Sequence, residues 1–208
     1  LKMKKVCILD YGLGNIKSLY NALKKIGVSP FFFSENNNDK KNFDVVFIPG
    51  VGSFSKASEL LLDDRYKNFI NNTLANSYIF GICLGMQILF SSGEENGKHS
   101  GLDIIKGKVK ILEKKNNKLI LPMVGYQPVS FLNNKHNFLS NFNNEKFYFV
   151  HSYAAFPENN DSLIGKTKSQ DVEYCAAVLS NKVLGTQFHP EKSGKIGLEF
   201  INNFINAI

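Results

Sequence analysis

In the first half of the chain, short apolar runs alternate with stretches in which apolar residues recur every three or four positions. The runs predict buried strands at residues 5–10, 28–33, 44–48 and 78–82. The first helical spacing predicts a helix that is capped by Asn15 and stops at Gly27. A second one predicts helix over 54–74, with a break near residues 63–64, and the polar segment 34–42 predicts a surface loop.

After about residue 100 the pattern changes, and strands follow one another without long helices between them. The apolar runs there predict strands at residues 102–112, 119–131, 146–151, 173–179 and 183–188. The last segment predicts an amphipathic helix with an apolar face made of Leu198, Ile201, Ile205 and Ile208. Alternating strands and helices with apolar strands are typical of a parallel sheet covered on both faces. We therefore expect an α/β fold with a β-rich second half, in a single domain over residues 1–208.

The composition excludes several classes of protein. The chain has 208 residues, of which 43% are hydrophobic and 21% charged, so it is neither a disordered polymer nor a collagen-like repeat. Three cysteines are too few to staple a chain of this length. No apolar run approaches the roughly 20 residues that a membrane span needs, and the apolar stretch before Asp10 is too short for a signal-peptide core. We therefore expect no membrane contact and a reducing, cytoplasmic location.

The formal net charge of +7 comes from 25 basic against 18 acidic residues. Arg65 is the single arginine, and the lysines are scattered singly and in pairs. Sequence-reading proteins depend on arginine forks, so this pattern argues against nucleic-acid binding. The excess positive charge leaves an anionic substrate or an acidic protein partner open.

The segment 81–85 (GICLG) is the strongest local signal for catalysis. It places Cys83 at a sharp turn between a predicted strand and a predicted apolar helix that runs through Phe90. Small neighbours relieve crowding at such a turn, and the N–H groups and dipole of the following helix favour a thiolate and a developing oxyanion. The alternative is a buried structural cysteine, which is our interpretation of Cys7 and Cys175.

A nucleophilic cysteine needs a base, and the chain has four histidines. His99 and His136 lie in polar segments, whereas His151 and His189 each follow a predicted strand. Glu191 stands two positions after His189, so in an extended chain both side chains project to the same face. A carboxylate there fixes the tautomer of the imidazole. His189 with Glu191 is therefore the favoured base pair.

Two glycine-containing turns are candidate ligand loops. The segment 49–52 (PGVG) follows a predicted core strand, and its glycines would let backbone N–H groups approach a ligand, although a simple turn explains it equally well. The segment 12–14 lacks the third glycine of a dinucleotide loop and the lysine of a P-loop, so no nucleotide site is expected. No C-x-x-C or H-E-x-x-H spacing occurs, and we expect neither a metal nor a cofactor.

Taken together, these segments resemble a known family. Residues 81–87 and 187–191 resemble the two hallmark segments of class I, triad-type glutamine amidotransferases. Within that family the chain is similar to the glutaminase subunits of imidazole glycerol phosphate synthase, through residues 10–15 with Ser18, 49–54, 151–153 and 192–193. The resemblance extends from about residue 4 to the end of the sequence.

The resemblance implies a flavodoxin-like, mostly parallel sheet flanked by helices, and a full set of site residues. The implied catalytic triad is Cys83, His189 and Glu191. The implied oxyanion hole consists of backbone N–H groups from Gly50, Val51 and Leu84. The implied glutamine-binding residues are Gly52, Gln87, Glu95, Ser152 and Tyr153.

The resemblance also implies a partner. In the family, ammonia released from glutamine passes to a (β/α)8 cyclase subunit in a heterodimer that serves histidine biosynthesis. The segment 121–127 departs from the family, because Tyr126 and Gln127 stand where Trp and Asn are usual. Two alternatives follow: a paralogous glutaminase that supplies ammonia for amidino-sugar synthesis, or a catalytically silent binding or regulatory protein of the same fold.

Overall fold

The computed structural model of the chain describes residues 4–34, 42–113, 120–132, 136–169 and 172–208. Most of the predicted 34–42 loop lies outside the described residues, and so does residue 119 at the start of one predicted strand. Within the described residues, thirteen strands form two sheets and five α-helices pack on them.

The first half alternates strands and helices, as predicted. The elements are β1 (Val6–Leu9), α1 (Ile16–Lys25), β2 (Phe31–Phe33), β3 (Val45–Gly50), α2 (Phe54–Leu61), α3 (Asp64–Asn76) and β4 (Tyr78–Cys83). Asn15 caps α1 by accepting the N–H of Ser18 at 3.2 Å. The predicted break is confirmed, since Asp63 accepts the N–H of Arg65 at 3.1 Å and begins a new helix.

The second half is β-rich. Its elements are α4 (Leu84–Gln87), β5 (Phe90–Gly93), β6 (His99–Ser100), β7 (Ile105–Ile111), β8 (Met123–Phe131), β9 (Lys146–His151), β10 (Tyr153–Pro157), β11 (Leu163–Ser169), β12 (Val172–Ser180), β13 (Val183–Thr186) and α5 (Gly194–Ala207). The predicted helix through Phe90 is wrong, because α4 ends at Gln87 and Phe90 opens a strand. A continuous apolar run fits a buried strand as well as a buried helix, so the sequence pattern does not distinguish the two here.

The larger sheet carries the order β2-β1-β3-β4-β13-β12-β11-β8-β9 in the described residues. Its first five strands are parallel, and the other four continue it in antiparallel pairs. The α/β expectation is confirmed, with the qualification that the sheet is mixed. Strand β4 lies between β3 and β13, with Gly81 opposite Gly185. The residues that follow β4 and β13 therefore meet at one edge of the sheet.

Core residues lie on both faces of this sheet. Along β1, Val6 and Ile8 point into one apolar cluster, and Cys7 and Leu9 point into the other, as strand alternation requires. The first cluster also receives buried residues of α5, namely Phe200, Ile201, Phe204 and Ile205. The second is covered by α2, α3 and the smaller sheet, ordered β10-β7-β5-β6. Among the helices described, none has the length and apolar character needed to cross a bilayer.

Candidate active site

Cys83 ends β4 with a backbone φ of +55°, a left-handed conformation that non-glycine residues rarely adopt. Helix α4 begins at the next residue, Leu84. The turn between strand and helix is therefore as sharp as the sequence predicted, and the strained residue is the candidate nucleophile.

The glycines on either side of this turn are required by space. A Cβ on Gly81 would lie 2.9 Å from the Cα of Met86, and one on Gly85 would overlap the carbonyl oxygen of Ile48. Helix α4 is packed too closely against β4 at Gly81, and against β3 at Gly85, for any side chain. Both glycines are therefore required by crowding, as the sequence predicts.

His189 and Glu191 form a buried pair immediately after β13. Nδ1 of His189 lies 2.8 Å from Oε1 of Glu191, and the two side chains are 2% and 4% exposed. A carboxylate only accepts, so Nδ1 carries a proton and donates it to this bond. Nε2 makes no hydrogen bond of regular geometry to the described residues. The backbone N–H of His189 donates to the Tyr148 carbonyl at 2.8 Å and fixes the segment against β9.

The electrostatic surroundings favour a charged imidazole. Burial alone would lower the pKa of His189, but its interactions with the Cys83 sulfur and the Glu191 carboxylate raise that pKa to about 10. The structure thus brings together the thiol, the imidazole and the carboxylate that the sequence singled out. Such a trio is able to hold a thiolate beside an imidazolium.

A pocket of about 420 Å³ opens over Cys83. The predicted site residues that line it are Val51, Gly52, Cys83, Leu84, Gln87, Glu95, Ser152 and Tyr153. Its lining is completed by Pro122, Val150, His151 and Lys192. Gly50, His189 and Glu191 do not line it. This volume lies within the range of small-molecule sites.

Gly50 lies behind the pocket and is packed tightly against the turn. It stands opposite Cys83 in the pairing of β3 with β4, and a Cβ on it would lie 2.6 Å from the hydroxyl of Tyr11. Val51, the next residue, is 39% exposed and reaches the pocket. The Tyr11 hydroxyl is buried without a hydrogen-bond partner in the described residues. Burial, with a contribution from Cys83, raises the pKa of Tyr11.

Two polar side chains of the pocket lining are held by the backbone. Nε2 of Gln87 donates to the carbonyl oxygen of Tyr153 at 2.8 Å. Oε2 of Glu95 accepts the N–H of Phe54, at the start of α2, at 2.7 Å. The neighbouring Glu94 instead faces Lys110 at 3.8 Å on the surface. Glu95 is therefore the carboxylate of the pocket.

His151, the other histidine after a strand, also reaches the pocket but in a different state. Its Nδ1 lies 2.9 Å from the carbonyl oxygen of Tyr153, so this nitrogen donates and carries the proton. Burial lowers the pKa of His151 to about 4, which keeps the ring neutral. Among its described contacts there is no carboxylate comparable with Glu191, and His189 is therefore the better placed base.

The other two cysteines are buried in strands, as predicted. Burial raises the pKa of both Cys7 and Cys175 to about 12, which disfavours their thiolates. Gln187, whose amide nitrogen lies 3.7 Å from the Cys83 sulfur, was not among the predicted site residues. Its position two residues before His189 was the available signal.

Comparison with known proteins identifies the family of this chain. Residues 7–208 match the family model described as glutamine amidotransferase class-I. The chain belongs to the class-I glutamine amidotransferases. This amidotransferase is 38% identical to the imidazole glycerol phosphate synthase subunit HisH of Bacillus subtilis, over 95% of this chain and 93% of the relative. It is 35% identical to the protein of the same name from Chlorobaculum tepidum, over 96% and 98% of the two chains.

The fold of this amidotransferase is also seen in a solved structure. The chain superposes with a TM-score of 0.72 on a chain of the PurLQS structure from Thermotoga maritima, over 98% of this chain and 99% of that chain. The sequence identity is 19%, so the likeness concerns the fold alone.

Proposed function

We propose that this amidotransferase is the glutaminase subunit of an imidazole glycerol phosphate synthase. It hydrolyses glutamine to glutamate and ammonia, and it passes the ammonia to a (β/α)8 cyclase subunit in histidine biosynthesis. The observation that carries the proposal is the buried pair of His189 and Glu191, whose imidazole interacts with the sulfur of Cys83 at the floor of a pocket. The relatives named HisH support the assignment of the pathway.

The polar part of the pocket lining suits the amino-acid end of glutamine. The Glu95 carboxylate supplies a negative charge for the α-ammonium group, and its bond to the Phe54 N–H holds it in place. Both described bonds of Gln87 use Nε2, which leaves its Oε1 to accept from the same ammonium. Ser152, Tyr153 and Gly52 also line the pocket, and their backbone is available to the α-carboxylate.

The first chemical step forms a thioester. The Cys83 thiolate attacks the side-chain amide carbon of glutamine, and the C–S bond forms as the carbonyl electrons move to oxygen. N–H groups of Leu84 and of the Gly50–Val51 segment stabilise that oxyanion. His189 gives its Nε2 proton to the amide nitrogen, the C–N bond breaks, and ammonia leaves the γ-glutamyl thioester.

The second step hydrolyses the thioester. Neutral His189 takes a proton from water, and the hydroxide adds to the thioester carbon. Collapse of this intermediate breaks the C–S bond, so glutamate is released and the thiolate and imidazolium are restored. Glu191 holds the ring in one tautomer throughout, because it accepts from Nδ1 in both steps.

An apolar surface beside the pocket mouth suits the docking of the cyclase. Val124 and Tyr126 on β8 are 57% and 53% exposed. The Tyr126 hydroxyl donates to the carbonyl oxygen of Lys192, which lines the pocket. Exposed apolar patches at a pocket mouth are typical of protein interfaces. Because Tyr126 and Gln127 depart from the family's usual residues, an amidino-sugar cyclase remains the second candidate partner.

The proposal is tested by measuring glutamate release in the presence of each candidate cyclase, purified and loaded with its ribonucleotide substrate. We expect release that is slow for the chain alone and is stimulated by the histidine-pathway cyclase. Cys83→Ala abolishes the stimulated reaction, and His189→Ala lowers its rate by about 10² to 10⁴-fold.

A glutamine-mimicking electrophile separates the remaining alternatives. With the loaded partner, mass is added at Cys83 and is absent in Cys83→Ala. If Cys83 is not labelled under these conditions, the enzymatic function is contradicted and the catalytically silent binding protein is the alternative left. Stimulation by the amidino-sugar cyclase alone assigns the other pathway, and rapid turnover without any partner contradicts regulation by that partner.

A further inference from the structure

Two buried glutamines connect the amino-acid end of the pocket to the nucleophile. Gln87 lies in α4 and Gln187 directly follows β13; the two residues are 4% and 0% exposed. Nε2 of Gln87 donates to the carbonyl oxygen of Tyr153 at 2.8 Å and to Oε1 of Gln187 at 3.0 Å. Nε2 of Gln187 then lies 3.7 Å from the sulfur of Cys83, within hydrogen-bonding distance for sulfur.

The hydrogen bond from Gln87 to Gln187 fixes which end of the Gln187 amide faces Cys83. Because Gln87 donates to the oxygen of the Gln187 amide, the nitrogen of that amide must face Cys83. The reversed amide would place two donors against each other and a carbonyl oxygen against the sulfur. Gln187 therefore presents an N–H to the sulfur, and a donor of this kind stabilises the negatively charged form.

The other groups around the sulfur either titrate or only accept hydrogen bonds. The titratable ones are His189 and Glu191 after β13, Tyr11 after β1, and His151, Glu95 and Lys192 in the pocket lining. The Val150 carbonyl, 4.0 Å from the sulfur, only accepts and so favours the protonated thiol. The Gln187 amide does not titrate, so its donor faces the sulfur at every pH.

We propose that Gln187 is a catalytic residue that stabilises the Cys83 thiolate by donating an amide N–H to the sulfur, with Gln87 as the positioning residue that orients this amide. Its catalytic meaning rests on the proposed glutaminase function, but the hydrogen bond itself does not. The same arrangement ties the nucleophile to the side chain that would accept the substrate's ammonium group.

The test is the pH dependence of Cys83 alkylation by iodoacetamide, followed by mass spectrometry of the peptide that contains it. In Gln187→Met, which keeps the size and loses the donor, we expect the midpoint of the profile to rise by about one pH unit, with about tenfold slower alkylation below it. Gln187→Glu still accepts from Gln87 but places a carboxylate at the sulfur, so its shift is larger. In the stimulated glutaminase assay, Gln187→Met lowers kcat about tenfold with little change in KM for glutamine.

Thr186→Val is the matched control. Thr186 is fully buried, and its hydroxyl donates to the Phe188 carbonyl at 3.0 Å, away from the sulfur. Its loss disturbs the same segment without removing the donor, so its alkylation profile matches that of the unaltered protein. Profiles of Gln187→Met and Gln187→Glu that coincide with the control overturn the inference. If Gln187→Met does not fold, Gln187→Leu, which also lacks the donor and adds no charge, takes its place.

The two proposals fail separately. A chain that releases no glutamate with any loaded cyclase refutes the glutaminase function, while the alkylation profiles still decide whether Gln187 donates to the sulfur.

Discussion

The His189 imidazole stays charged although it is buried. Burial is the largest influence and lowers its pKa, while the Cys83 sulfur and Glu191 raise it to about 10. Cys83→Ala removes one of these influences, so we expect the His189 imidazole to lose its proton at a clearly lower pH. NMR titration of the ring nitrogens measures this, and Cys175→Ala is the control. An unchanged His189 titration in Cys83→Ala contradicts the pairing.

The raised pKa of His189 also makes the stability of the fold depend on pH in the alkaline range. A pKa raised above the ordinary value of 6.5 contributes stability that is complete below 6.5 and is lost as the pH rises toward 10. We expect the free energy of unfolding to fall across this window in the unaltered protein, and to fall less in Cys83→Ala. Urea unfolding at a series of pH values measures the difference.

His151 makes the opposite contribution on the acid side. Burial lowers its pKa to about 4, so between pH 6.5 and 4 the unfolded chain binds a proton that the folded chain does not. Stability is therefore complete above 6.5 and declines as the pH falls toward 4. In His151→Phe we expect a shallower decline, since the ring already packs against Tyr174 at 5.1 Å. His99→Gln, in the short strand β6, is the control and keeps the original slope.

At the residue level, the groups whose chemistry is visible in a motif could be predicted from the sequence. Cys83 between two glycines, and His189 two positions before Glu191, follow from local spacing. The Gln87–Gln187 link does not, because its two amides are 100 positions apart and only the pairing of β4 with β13 brings them together. Which of Glu94 and Glu95 lines the pocket could not be predicted either, because it depends on the contact of Glu95 with the start of α2.

At the scale of elements, the turn after β4 depends on close packing between β3 and α4. In Gly85→Ala the new methyl group overlaps the Ile48 carbonyl, so backbone must move, and we expect about 3 kcal/mol of lost stability. The control is Gly27→Ala, at φ +82° with no atom within 4 Å of the new Cβ, where backbone strain alone costs about 1 kcal/mol. Urea unfolding of both variants checks the ranking, and equal losses would contradict it.

Elements were predictable where burial imposed a short continuous apolar run or a clear helical period. The parallel strands β1, β3 and β4 and the helix α1 follow from apolar runs and an amphipathic repeat. Four strands were missed, namely β5, β6, β10 and β11. They are short, or they mix buried residues with polar ones, and they pair in a second sheet or beside β12. Local sequence carries little of that information, because the pairing partners are distant in the chain.

For the whole molecule, the exposed apolar surface on β8 has a defined position beside the pocket mouth. Val124→Asp places a charge at its centre, and we expect the affinity for the proposed cyclase partner to fall at least about tenfold. Phe156→Asp, at a residue on β10 that is 42% exposed, is the control and leaves the affinity unchanged. Isothermal titration calorimetry measures both, and equal effects would contradict docking at β8.

The three cysteines differ in what they can offer to a reagent. Cys7 and Cys175 are enclosed in the same apolar cluster, whereas Cys83 opens into the pocket. A thiol-reactive fluorophore should therefore attach at one place in the unaltered protein. That dye would lie in the pocket, beside the apolar β8 surface, and its emission would report the binding of a docking protein in real time.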